Sequence, residues 1–124
     1  MSAVALLLAA QPASAALARD FLRDAVRERA SSEQADVGAL IVSELVTNAV
    51  MHGAAPIRME LHLDLGELRV DVFDAAPAKA VAIHRDGRID EPSGRGLRIV
   101  EKLADAWGVR SCDGEKSVWA TLHV

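Results

Sequence analysis

A chain of 124 residues with 51% apolar and 26% charged residues has the length and composition of one soluble globular domain, with enough apolar side chains for a core without disulfide or metal staples. Only 3% of its residues are aromatic, which argues against a stacking surface for single-stranded nucleic acid, and a net charge of -4 argues against direct binding to DNA or an anionic membrane. The lone cysteine, Cys112, cannot form an internal disulfide and no apolar run is long enough to span a bilayer, so a cytoplasmic setting is expected.

The opening run MSAVALLLAAQPASA imitates a secretory leader, but no Lys or Arg precedes Arg19, so residues 4–10 are read as a short apolar strand followed by a turn at Pro12. PASAALARDFLRDAVRERA follows as an amphipathic helix. Ala18, Leu22 and Val26, flanked by Leu17, Phe21 and Ala25, hold a 3.6-residue stripe, and Ser14 is a candidate N-cap. SSEQAD is a polar connection that offers the next cap. The second helix, roughly Glu33–His52, is apolar around most of its circumference, which predicts burial on most sides, and Gly53 suits its C-terminal end.

IRMELHLDL alternates, placing Ile57, Met59, Leu61, Leu63 and Leu65 on one face. A tight turn at Gly66 and Glu67 then leads into LRVDVFD, with Leu68, Val70 and Val72 inward, which makes a hairpin with one wet face. Residues 75–93 carry little pattern and two prolines, Pro77 and Pro92, and are read as a loop with a short strand or turn at AVAIH. SGRGLRIVEKLADAWG predicts a third helix, with Leu97, Val100, Leu103 or Ala104, and Trp107 on its stripe and Gly108 ending it. VRSC and SVWATLHV are two further strands about a turn at DGEK. The order β-α-α-β-β-loop-α-β-β predicts a single α+β domain over residues 1–124. It is a two-layer α/β sandwich whose mixed, mostly antiparallel sheet is covered on one face by three helices.

Chemistry concentrates in three places. Glu44 and Asn48 are spaced i, i+4 on the oily second helix, with Ser43 and Thr47 beside them, so a narrow polar strip runs along an apolar cylinder. Taken alone, the strip fits a buried polar network as well as it fits a ligand-facing wall. A carboxylate in a half-dry setting suits a general base, and an amide oxygen suits a hard cation. Gly94 and Gly96 open the third helix, where free N–H groups and the helix dipole favour an anion, and Arg95 between them could add a contact; a bare helix-entry turn also explains them. Asp74 closes the third strand, as a turn aspartate would. The four histidines, His52, His62, His84 and His123, show no metal-ligand spacing.

In order and spacing, SELVTNAVMHG, VDVFDAAP, SGRGLRIVEKLADAWGV and KSVWATL together resemble the GHKL superfamily of ATP-binding domains. Within it they are most similar to the small anti-sigma factor serine/threonine kinases, over nearly the whole chain. The resemblance implies a role for each matching residue. Glu44 would be the general base, Asn48 would give its side-chain oxygen to Mg2+, and Asp74 would accept a hydrogen bond from the adenine amino group. Gly94, Arg95, Gly96 and Leu97 would offer backbone N–H groups to the phosphates, and Ser117 would be the hydroxyl beside Asp74 in the base pocket. The segment from Ala75 to Ser93 would be the ATP lid.

It further implies an ATP-binding regulator with Mg-dependent serine/threonine kinase activity on an antagonist protein, which alternately holds a sigma factor and so acts on transcription without touching nucleic acid. Relatives of this kind are often homodimers, although no stripe in this sequence marks an interface. The chain departs from the family in two places. DAAPAKA lacks the glycines common after the adenine aspartate, and Met51 stands where many relatives carry a basic residue. These departures keep two other readings open, a nucleotide-gated binding module without phosphoryl transfer and a degenerate docking protein that binds no nucleotide.

Overall fold

A computed structural model describes residues 2–76 and 94–124. The strand or turn expected at AVAIH and nearly all of the expected lid lie outside the described residues. The elements are β1 (Ser2–Leu8), α1 (Ser14–Val26), α2 (Ser32–His52), β2 (Ile57–Asp64), β3 (Glu67–Asp74), α3 (Gly94–Leu103), β4 (Ala106–Cys112) and β5 (Glu115–His123). The strands form one five-stranded sheet in the order β1-β2-β3-β5-β4. Each ladder is antiparallel, so the sheet among the described residues contains no parallel pair.

Strand parity decides which side chains meet the helices. In β2 and β3, Met59 lies opposite Val72 and Leu61 opposite Val70. In β3 and β5, Val72 lies opposite Val118 and Val70 opposite Ala120. These side chains are buried together with Val42, Leu45, Val46 and Ala49 of α2, Leu97 and Val100 of α3, and Ala18, Leu22 and Val26 of α1. Burying each Val, Leu, Ile or Met stabilises the fold by about 1.5–3 kcal/mol, so this one face, covered by all three helices, dominates the folding energy. α2 is the central helix and packs against α1, α3 and the sheet, as its oily circumference requires. Its start is fixed by a capping box. Ser31 Oγ accepts from the Gln34 N–H at 3.1 Å, and the Gln34 side chain accepts from the Ser31 N–H at 2.9 Å.

Several local expectations give way to tertiary structure. Ser14 does not cap α1. It lies within the first turn, after Ala13, and its hydroxyl donates to the Ala9 carbonyl at 2.6 Å. The β2–β3 turn is made by Leu65 and Gly66, since Asp64 already pairs with Glu67. Gly66 takes φ 81°, and Leu65 therefore stands at the hairpin tip, 99% exposed, instead of joining the inward row. The third helix stops at Leu103, and Ala106, Trp107 and Gly108 belong to β4. Trp107 lies opposite Ala120 and Val109 opposite Val118, so the core accepts Trp107 from a strand and not from the helical stripe. Gly108 is required there by packing, because a Cβ would sit 2.9 Å from the Trp119 ring.

The other sheet face is polar. Arg58 lies over the Phe73 ring at 4.1 Å and Arg69 over Trp119 at 4.5 Å. Burial pulls the Arg58 guanidinium pKa down, but hydrogen bonds to Glu60 and Glu115 outweigh it and leave the pKa raised.

Candidate functional site

The polar strip on α2 divides in two. Ser43 faces α1, where Arg19 Nη1 donates to its hydroxyl at 2.9 Å. Glu44 is half-buried, and Asn48, one turn further on, is only 6% exposed. Neither the oxygen nor the nitrogen of the Asn48 amide has a hydrogen-bond partner among the described residues. A buried polar group left in this way costs about 1–3 kcal/mol.

Asp74 ends β3 on the helix-covered side and is 1% exposed. Its Oδ1 accepts from the Ala76 N–H at 2.7 Å and the Ala54 N–H at 3.4 Å, which ties the chain after β3 to the chain after α2. Gly53 lets the end of α2 come this close. A Cβ there would lie 2.6 Å from the Asp74 Cγ and 2.6 Å from the Ala49 carbonyl oxygen. Gly53 does serve as the C-cap, with an extended backbone, so contact with Asp74 and not left-handed geometry fixes glycine at this position.

Ser117 is not beside Asp74. Asp74 lies opposite Lys116 in the β3–β5 ladder, and Phe73 lies opposite Ser117. Side chains alternate between faces, so Ser117 projects to the opposite side of the sheet, where its hydroxyl donates to Asp71 Oδ1 at 2.9 Å. The residue that meets Asp74 is Lys116, with Nζ 3.2 Å from Oδ2 and the side chain fully buried. Lys116 was legible in the sequence, since it shares strand parity with the inward-facing Val118 and Ala120.

α3 begins with Gly94, Arg95, Gly96 and Leu97, and the N–H groups of a first helical turn have no intrahelical partner. The Leu97 side chain is fully buried in the core and anchors that turn against α2, leaving its backbone as the group that could face an anion. Glu44, Asn48, Asp74 and the start of α3 thus lie on three elements joined through α2, which packs against both β3 and α3. Among the described residues no group of three or more His, Cys, Asp or Glu is arranged to hold a metal ion, and no helix is long and apolar enough to cross a membrane.

No curated protein matches the chain. Among solved structures, the crystal structure of the RsbU and RsbW domains of Rv1364c from Mycobacterium tuberculosis is similar, with a TM-score of 0.74 and 22% identity over 99% of this chain. This chain spans only 32% of that one, and at such identity the likeness is one of fold. The model of the histidine kinase-like ATPase domain matches residues 8–122, from the end of β1 through nearly all of β5. The chain belongs to the family of histidine kinase-like ATPase domains.

Proposed function

We propose that the protein is an ATP-binding regulator of the anti-sigma factor type, which transfers the γ-phosphoryl group of ATP to a serine or threonine hydroxyl of an antagonist protein and alternately holds a sigma factor. Family membership and the fold shared with a structure containing an RsbW domain support the class. The observation that carries the reading is the buried Asn48 amide with no partner among the described residues, one turn from the half-buried Glu44.

The residues present fit Mg2+. The Asn48 amide oxygen is a neutral hard donor, and Mg2+ commonly takes one or two protein ligands and completes its shell with water and phosphate oxygens. When bound, Mg2+ would neutralise phosphate charge. The N–H groups of the first turn of α3 would hold the phosphates, and Asp74 would receive the adenine amino group. Glu44 would take the hydroxyl proton as the hydroxyl oxygen bonds to the γ-phosphorus and the bond to the leaving ADP oxygen breaks. General-base catalysis of this kind contributes about 10²–10⁴-fold.

Calorimetric titration with ATP and ADP, each with and without Mg2+, tests the pocket, and Glu44→Ala tests the chemistry. The variant should bind ATP as the wild type does and lose at least about 10²-fold in phosphoryl transfer. Retained turnover would remove Glu44 from the role. A second reading, a nucleotide-gated module without transfer, draws support from the glycine-free DAAPAKA segment. Mg-dependent ATP binding by a wild type that phosphorylates no antagonist would favour it.

A further inference from the structure

We propose that Lys116 is a specificity-determining residue of the nucleotide site, whose ammonium donates to the ring nitrogen acceptor beside the amino group that Asp74 receives. The inference rests on the ATP reading above and extends it to a residue that the family resemblance did not mark.

The placement comes from the sheet. The β3–β5 register sets Lys116 opposite Asp74, on the helix-covered side. Both side chains are closed off from solvent, and Lys116 Nζ lies 3.2 Å from Asp74 Oδ2. A buried ammonium is costly unless it is both paired and hydrogen-bonded. Lys116 meets only the first condition, because no hydrogen bond satisfies its Nζ among the described residues. An ion pair kept only for stability gains little over apolar side chains of similar size, so a lysine whose donors the described residues leave unused calls for a group that accepts, which a ligand would supply.

Asp74 supplies the complementary half. Its Oδ1 is taken by two backbone N–H groups, while among the described residues Oδ2 has Lys116 alone and retains capacity for one more donor. The pair therefore offers one acceptor and one set of donors side by side. Adenine presents the matching pattern along one edge, an amino N–H next to the acceptor N1. Ser117 cannot take this role, since its hydroxyl is bound to Asp71 on the other face.

The test compares ATP with 1-deaza-ATP, in which a C–H replaces N1, by calorimetry on the full chain. Wild type should bind 1-deaza-ATP about tenfold or more weakly, the worth of a hydrogen bond to a charged donor. In Lys116→Met the two ligands should bind within about twofold of each other. Equal affinities in the wild type, or an undiminished ratio in Lys116→Met, would overturn the assignment and leave the ATP reading standing. A wild type that binds no ATP would overturn both. Should Lys116→Met fail to fold, the isotope-labelled Lys116 Nζ resonance of the wild type gives the answer: it should shift with ATP and not with 1-deaza-ATP, and equal shifts would refute the contact.

Discussion

Two carboxylates three residues apart on β3 are almost equally hidden, Asp71 at 2% exposure and Asp74 at 1%, yet they lie on opposite faces of the sheet and are treated differently. Asp71 is fully served by its own chain. Arg69 donates to both its oxygens at 2.9 and 3.3 Å, Ser117 at 2.9 Å and Arg110 at 3.5 Å. Both arginines reach solvent, so the network holds no isolated charge. Asp74 faces a fully buried lysine whose Nζ makes no hydrogen bond among the described residues, and the Asn48 amide on α2 is orphaned in the same sense. A satisfied buried network is a structural element. An unsatisfied one, maintained at a cost in stability, marks the face where a ligand is expected.

The largest effect should come from breaking the Asp74 side. Asp74→Asn leaves Lys116 buried without a counter-charge, and removing one partner of a buried pair costs about 3–5 kcal/mol. Urea denaturation should show the midpoint falling with the slope unchanged, together with loss of ATP binding. Adding Lys116→Met to Asp74→Asn should restore most of the stability and none of the binding. Asp71→Asn, whose arginines can rehydrate, should cost only about 1–2 kcal/mol and leave ATP affinity as it was. Equal losses at the two aspartates would erase the contrast between the faces.

Gly53→Ala should act more gently on the same side. The backbone at Gly53 (φ -94°, ψ -164°) suits any residue, so the cost is steric, from a methyl placed 2.6 Å from both the Asp74 Cγ and the Ala49 carbonyl oxygen. Overpacking of this kind costs about 1–3 kcal/mol. Because the methyl pushes on Asp74, ATP affinity should fall along with stability. Gly66→Ala at the hairpin tip provides the control. There φ is 81°, so the strain should be about 1–2 kcal/mol with ATP affinity unchanged.

The layer architecture and the α2 strip were legible because long periodic segments dominate them, and Met59, Leu61, Val70 and Val72 fall where alternation put them. Reading failed where two periods coincide. Trp107 continues the helical stripe of Leu97, Val100 and Leu103, and it also alternates with Val109. Only pairing with β5 decides in favour of the strand. Leu65 shows the same limit, since alternation cannot tell that Gly66, and not Glu67, closes the turn. In the candidate site, Glu44, Asn48, Asp74 and the GRGL turn stand out as motifs, while Ser117, the hydroxyl expected beside Asp74, is one residue away from Lys116, which lies opposite it. A hydroxyl fits a base pocket by chemistry, but the parity shared with Val118 and Ala120 selects Lys116.

That one-residue difference can be read with a small substitution. Ser117→Ala removes a hydrogen bond from Asp71, and Arg69 and Arg110 still reach the same oxygen. The stability cost should be about 0.5–1.5 kcal/mol, at the low end because the carboxylate keeps its charge partners. ATP affinity should stay within about twofold, because the sheet separates Ser117 from Asp74. A hydroxyl that touched the base would instead cost about tenfold in affinity when removed, with little loss of stability. The two placements therefore predict opposite rankings of the same two measurements. A Ser117→Ala protein of wild-type stability but weakened ATP binding would put the hydroxyl back in the pocket and remove Lys116 from it.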